Sequence, residues 1–265
     1  MQSTVLENTI ANHKGYLRTY LTNINKGKAL PASYFNAGFS YRILAICMLL
    51  DDMDVHTYLQ YLNYAGCCRY EFLAKVATGL TTESKYLCLS KDVSFVGVLA
   101  SGNYDLARDI ARLSVKNYFP QIEYEDDFLL IHAMQQLLLN EYSESEFNAM
   151  FTRWDTVLEG QTSPDLLVCQ AIHGKNDEEF AEYFQALLEK RELQMQNYNK
   201  TINKDPSLIQ TEGKVFLEGV ALLRLAQLNG LRVASEYNMI PTATLVDPGR
   251  HIFTCDGWKQ IRSMA

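Results

Sequence analysis

The chain has 265 residues, 48% of them hydrophobic, which is enough apolar matter for a large core and excludes a disordered chain. Its 24 Lys plus Arg stand against 31 Asp plus Glu, a net charge of −7 that opposes binding to nucleic-acid phosphates and suits a basic protein partner. The first residues, MQSTVLENTIANHKG, lack the basic and apolar regions of a secretory leader, and the longest uncharged apolar run, Ile43 to Leu50, is far too short to span a bilayer. The expectation is a soluble, cytoplasmic chain with no membrane partner.

Helical spacing begins at once: Leu6, Ile10, Leu17, Leu21 and Ile24 recur at helical intervals, and Thr4 with Glu7 is placed as a capping box. The same spacing predicts helices over about 31–50, 54–79, 91–101, 103–118, 125–139, 143–159, 164–173, 177–203 and 211–229, with the six prolines at their borders. The runs LCLS (87–90) and TATLV (242–246) read as extended, but nothing nearby would pair with them into a sheet. The tail from Asp247 onward is turn-rich, with room for one short helix near Trp258.

These signals predict an all-α fold of about ten helices, stacked as antiparallel hairpins in a solenoid-like or irregular bundle. No Pro/Gly/Ser-rich linker interrupts the middle, so residues 1–265 read as one domain. Within it, N-terminal helices occupy 1–90, helical-hairpin quasi-repeats 91–230 and an irregular tail 231–265. Gly102, Asn140 and Gly174 mark similar joints, yet the apolar stripes that follow Gly102 and Gly174 are two positions out of phase, about 200° around a helix. No tetratricopeptide pattern appears.

The six cysteines, Cys47, Cys67, Cys68, Cys88, Cys169 and Cys255, show no CxxC, and adjacent Cys67 and Cys68 cannot both face one metal from a regular helix. They read as reduced, packed thiols of a cytosolic chain.

The stretch AIHGKNDEEFAEYFQALLEKR (171–191) holds a histidine, five carboxylates and three cations among its residues, which resembles an acid/base site. Local structure accounts for nearly all of it. Gly174 suits a left-handed helix stop, Asn176 an N-cap with Glu179 completing a capping box, and Asp177 and Glu178 the dipole of the next helix. His173 is left over, as is a solvated acidic end of Asp177, Glu178, Glu179 and Glu182 able to engage a basic partner. In LLDDMDVHTY, Asp52 and Asp54 diverge by about 200° on a helix, so Asp54 reads as an N-cap rather than a metal ligand. Glu125, Asp126 and Asp127 likewise read as a helix start with an acidic face for a partner.

His132 sits in an apolar run and reads as a core histidine; no HExxH, GxSxG, GxxxxGK[ST] or GxGxxG occurs. No catalytic, metal or cofactor residues are expected. Tyr58, Tyr61 and Tyr64 step along one helix as a shoulder of the core or as an aromatic platform for a partner.

Residues 218–245, EGVALLRLAQLNGLRVASEYNMIPTATL, comprise a helix rich in small residues (Gly219, Ala221, Ala226), a break at Asn229-Gly230, an extended link to Ile240-Pro241 and a last apolar residue, Leu245. Together with Trp154, Ala171, Gly174, Asp177, Phe180 and Leu187, this pattern resembles the all-helical immunity proteins of bacterial polymorphic-toxin systems, most nearly the family called Immunity protein forty-nine. The likeness covers roughly residues 95–246. It implies a cytoplasmic protein that binds and neutralises a cognate antibacterial toxin and so protects producer and kin cells. It implies no catalytic residues, and because contact residues vary within such families, it transfers none. Two other readings stand beside it: a helical scaffold binding a peptide in a concave groove, and a helical metal-dependent hydrolase using Asp51, Asp52 or Glu125.

Overall fold

The computed structural model describes residues 2–260, with the side chains of all of these except Gln2, Ser3 and Arg250. The fold is all-α, with eleven helices among the described residues: α1 (Gln2–Asn25), α2 (Pro31–Asp52), α3 (Val55–Ala77), α4 (Val93–Ser101), α5 (Tyr104–Leu113), α6 (Glu125–Leu139), α7 (Glu144–Val157), α8 (Pro164–Gly174), α9 (Asp177–Lys200), α10 (Pro206–Gln210) and α11 (Leu217–Leu228). No described residue belongs to a strand, and the sole ladder-type contact is an isolated bridge between Tyr237 and Ile240. The segments read as extended, 87–90 and 242–246, are instead parts of short 3₁₀ turns and their flanks.

Helix starts follow local chemistry. Proline occupies the first turn of α2, α8 and α10, where its missing N–H costs nothing. Asp54, Asp92, Asn103 and Asn176 accept from backbone N–H groups of α3, α4, α5 and α9, and Ser143 with Glu146 forms a capping box on α7. Thr4 lies inside α1 rather than at its cap. The segment expected to be helical to residue 118 stops at Leu113: Ser114 turns extended, its hydroxyl donating to the Ile110 carbonyl at 2.8 Å. Lys116 then folds back to donate to the Ala111 carbonyl.

Three joints share one design, a left-handed residue followed at once by an Asx N-cap: Met53-Asp54, Gly102-Asn103 and Lys175-Asn176. In the last, the left-handed residue is Lys175 (φ 54°), and Gly174 is the final helical residue of α8, contrary to the expected stop at the glycine. The register is set from ahead. Asn176 must cap α9, so the residue before it takes the left-handed turn, and the Schellman bonds Asn176 N–H to Ala171 O (3.1 Å) and Lys175 N–H to Ile172 O (3.3 Å) close α8.

Packing makes the architecture an irregular bundle rather than an open solenoid. α1, α2 and α3 pack in sequence, but α11 returns to lie on α4, α6 and α8, and α10 reaches α1. α4 is buried from Ser94 to Ser101, and α11 buries Leu217 and every residue from Gly219 to Ala226. Such helices, apolar all round, can exist only inside other elements. Close approach is bought with small residues: a Cβ on Gly66 of α3 would lie 2.9 Å from Val98 Cβ of α4. One hydrophobic cluster runs from Leu17 to Trp258.

Two buried cations tie irregular segments to this frame. Arg69 pairs with Asp92 at 2.8 Å and donates to the Tyr86 carbonyl, while Asp92 also caps α4. Arg224 of α11 donates to the carbonyls of Thr244 and Val246 in the tail. Further on, the tail crosses α2 and α3. Tyr41 donates to the Trp258 carbonyl, Gln60 and Asn63 to the Thr254 carbonyl, and Cys67 forms a disulfide with Cys255 at a Cα–Cα separation of 5.9 Å. This corrects the expectation of six reduced thiols: Cys47, Cys68, Cys88 and Cys169 are free and buried, but Cys67 faces a partner 188 residues away that no local spacing could reveal. Near Trp258 the chain forms a turn, not the expected short helix, and residues 261–265 of the tail lie outside the described residues.

Two outcomes follow from these features. Unfolded, unreduced protein should titrate four thiols with a thiol reagent, and Cys255→Ser should raise the count to five and destabilise by about 2–4 kcal/mol. Gly174 is exposed and a Cβ there meets nothing within 4 Å, so Gly174→Ala should raise stability by about 0.5–1 kcal/mol in chemical melts, and Lys175→Gly should also stabilise by relieving the left-handed lysine.

Candidate functional site

Three helix starts meet where α11 enters the core. α6 brings Asp126 and Asp127, α8 brings Asp165, and α11 brings Glu218, each carboxylate in a first turn where the positive end of the helix dipole favours it. With Trp154 of α7, Ser163 before α8, Leu187, Lys190, Arg191 and Gln194 of α9, and Phe216 before α11, they line a cleft of about 220 Å³. The helical pattern of α9 explains its contribution: Leu187 turns inward, and the cations that follow it, Lys190 and Arg191, fall beside the acidic helix starts.

Charge pairing within the cleft is incomplete. Lys190 pairs with Asp165, which also accepts from Ser163 Oγ at 3.1 Å. Arg191 donates to the Glu212 carbonyl at 3.3 Å and lies over the Phe216 ring at 5.2 Å, while Arg42 of α2 pairs with the Glu212 carboxylate. Asp126, Asp127 and Glu218 make no hydrogen bond or ion pair with the other described residues. Trp154 is 1% exposed, and its Nε1–H has no acceptor, nor has the Nε–H of Arg191. A buried indole N–H ordinarily finds one.

Burial, then the nearby Asp165, pushes the Glu218 carboxyl up to about 7 against the pull of Arg191 and Arg42. Burial and the neighbouring Asp126 raise Asp127 as well. Burial lowers Arg191, and takes Arg42 down to about 10. The cleft therefore holds carboxylates in excess of the cations that neutralise them, and a donor without an acceptor.

The acidic residues expected to meet a partner fall into two places. Asp126 and Asp127 are in the cleft lining, and Glu125 beside them accepts from Arg153 at 2.6 Å. At the start of α9, Glu178, Glu179 and Glu182 are exposed, but Asp177 is engaged by Arg232, whose backbone N–H and Nε donate to it at 2.7 and 2.8 Å and hold its carboxyl below the usual range. His173 stacks on Phe147 at 4.1 Å and meets Glu144 at 3.1 Å, so the residue left over by sequence belongs to the α7–α8 contact. His132 is buried against Phe128 and Tyr142, with burial taking it down to about 4.

The tyrosines divide differently. Tyr58 is fully buried and so presents no ring to a partner. Tyr61 and Tyr64 are half-buried against Tyr41, the residue that holds the tail at Trp258. Asp54 serves as the cap of α3, with Thr57 N–H donating at 2.9 Å. Sequence reasoning placed Asp126 and Asp127 but missed Asp165, Lys190, Arg191, Glu218 and Trp154 as members of one site. Asp165 and Glu218 carry one shared signal, an acid in the first turn of a helix, which is unremarkable in sequence; Lys190, Arg191 and Trp154 carry none.

Among the described residues no group of three or more His, Cys, Asp or Glu is arranged to hold a metal ion, and no helix is long and apolar enough to cross a membrane. The chain matches no protein-family model, no curated protein and no solved structure.

The raised Glu218 carboxyl sets a pH dependence whose sign is defined. Its folded value near 7 lies above the ordinary 4.5, so the folded state gains relative stability below pH 4.5 and loses it as pH rises through 7. Glu218→Gln should remove that loss, giving a variant more stable at pH 8 by on the order of 2 kcal/mol and nearly equal to the parent at pH 4 in urea melts.

Proposed function

We propose that the protein is an immunity protein that binds a basic antibacterial toxin and neutralises it by stoichiometric association, protecting the producing cell and its kin. The reading begins with the pattern of residues 218–245, which resembles such proteins, and with the acidic balance of the chain. The observation that carries it is the cleft's excess of carboxylates, with exposed apolar side chains on the helices that form it. Tyr124, two residues before Asp126, is 78% exposed, and Leu193, next to Gln194, is 57% exposed. Large exposed apolar side chains on the helices that also form a polar cleft suit a protein-binding surface. An acidic partner-facing side would steer a basic toxin into contact and so raise its association rate.

The scaffold reading needs an open concave groove, and the return of α11 and α10 onto earlier helices closes the bundle instead. For the hydrolase reading, Glu125 is already committed to Arg153. The expected cytoplasmic placement rests on the lack of a leader-like start, with six reduced thiols as its companion reading, and the Cys67–Cys255 bond counts against that companion, since disulfides persist mainly in oxidising compartments. We therefore propose neutralisation without assigning its compartment.

Co-expression with the toxin encoded beside it should restore growth to cells that the toxin alone arrests; continued arrest with well-folded protein present would refute the reading. Steering is tested by the triple change Glu178→Lys, Glu179→Lys and Glu182→Lys, which spares the engaged Asp177. It should slow association with that toxin by about tenfold at low salt and flatten its salt dependence, whereas an unchanged on-rate excludes this acidic end from the encounter.

A further inference from the structure

The last part of the tail crosses a face of α3 that is polar. Gln60, Asn63, Tyr64, Cys67 and Glu71 fall at i, i+3, i+4, i+7 and i+11, one stripe along the helix. Every one of them meets the tail. Gln60 and Asn63 donate to the Thr254 carbonyl at 3.0 and 2.9 Å, Cys67 is bonded to Cys255, and Glu71 pairs with Lys259 at 2.5 Å. Tyr64 lies under the Gly257 backbone, so close that a Cβ on Gly257 would collide with the tyrosine hydroxyl.

A helix face that stays in a core is ordinarily apolar. This stripe can be satisfied by water once uncovered, and a polar contact that exchanges with water contributes little net stability. Trp258, 4% exposed, is the segment's apolar anchor, while Ile252 is 85% exposed and Phe253 half-buried. Upstream the tail is held separately, because Arg224 donates to the Thr244 and Val246 carbonyls and Thr244 is fully buried. No helix follows the segment among the described residues. Departure of the segment therefore stops near Asp247 and leaves the eleven helices packed.

The covalent bond is what makes the closed position obligatory. While it holds, the segment cannot leave, and its polar contacts re-form in place at high effective concentration. Cys255 is exposed, so an outside thiol can reach the bond, whereas Cys67 is 2% exposed. Cys68 does not compete as a partner: it projects about 100° around the helix from Cys67, and full burial keeps its thiol protonated.

We propose that residues 251–260 form a redox-released strap, locked over α3 and the Tyr41, Tyr61 and Tyr64 cluster when Cys67 and Cys255 are bonded, and detached when a dithiol reduces them. A thiolate of the dithiol attacks Cys255 Sγ, the Sγ–Sγ bond breaks, and Cys67 leaves as a thiolate that takes up a proton. The second thiolate of the reductant then attacks its own sulfur in the mixed disulfide and releases Cys255, which is protonated in turn. The protein gains two thiols and the dithiol becomes a disulfide. The strap stands independently of the function proposed above.

The native protein, treated with dithiothreitol in the absence of denaturant, should expose two new thiols while the four buried ones stay unreactive, and should keep its far-UV helical signal. Trypsin should cut after Arg250 about tenfold faster or more in the reduced form, followed by mass with every sample reduced after quenching. Of the two indole signals in ¹H–¹⁵N spectra, assigned with Trp258→Phe, that of Trp258 should shift on reduction and that of Trp154 should not. Reoxidation should reverse all three changes, and Cys255→Ser should match the reduced parent with no reductant present. A bond that resists dithiothreitol in the native protein, or a reduced protein with unmoved Trp258 and unchanged cleavage, overturns the strap. Loss of the helical signal on reduction also overturns it, because the bond then staples the whole fold. The parent alone decides these outcomes, so they stand even where Cys255→Ser fails to fold.

Discussion

The burial of α11 organises the molecule. A twelve-residue helix with Leu217, Val220, Leu222, Leu223 and Leu225 all inaccessible has no face to offer to water, so α4, α6 and α8 must surround it. Burying those five side chains contributes on the order of 10 kcal/mol, comparable to the net stability of a whole domain. It also closes the bundle, because α11 follows α8 and α9 in sequence yet lies against α4. The one buried charge in its middle, Arg224, is spent on tail carbonyls, so the same helix that fills the core also fixes the path of the C-terminal segment.

Where α11 enters the core, its first turn has to be satisfied, and the cleft is the consequence. Helix N-termini present unpaired N–H groups and a positive field, and α6, α8 and α11 answer with Asp126, Asp165 and Glu218. Bringing three such ends together concentrates carboxylates faster than Lys190 and Arg191 neutralise them. First-turn acids that are unremarkable on separate helices thereby become one polar cleft, with a Glu218 carboxyl raised by its burial.

The tail provides a second constraint of another kind. Few of its residues are regular, and it is held by single groups spread along α2, α3 and α11: Tyr41, Gln60, Asn63, Arg224 and the Cys67–Cys255 bond. These attachments cover part of the Tyr41, Tyr61 and Tyr64 cluster, which is why a tyrosine stripe that reads as a candidate platform serves largely as packing.

Local chemistry in the sequence was enough to determine that the chain is all-α and where most helices begin. Pro31 and Pro164, and the side chains of Asp54, Asn103, Ser143 and Asn176, act within one turn of their own position, and apolar spacing acts within one helix. The same locality explains the misreadings. Gly174 is a sound helix stop until the neighbouring cap at Asn176 assigns the left-handed turn to Lys175, and Cys67 is an ordinary thiol until the fold brings Cys255 beside it. Asp126, Asp165 and Glu218 are first-turn acids of separate helices, and only the docking of α6, α8 and α11 makes them neighbours. Helix formation is decided by groups a few residues apart, while the cleft, the disulfide and the unmet indole of Trp154 depend on which helices lie against which, a choice made by the burial of whole apolar faces.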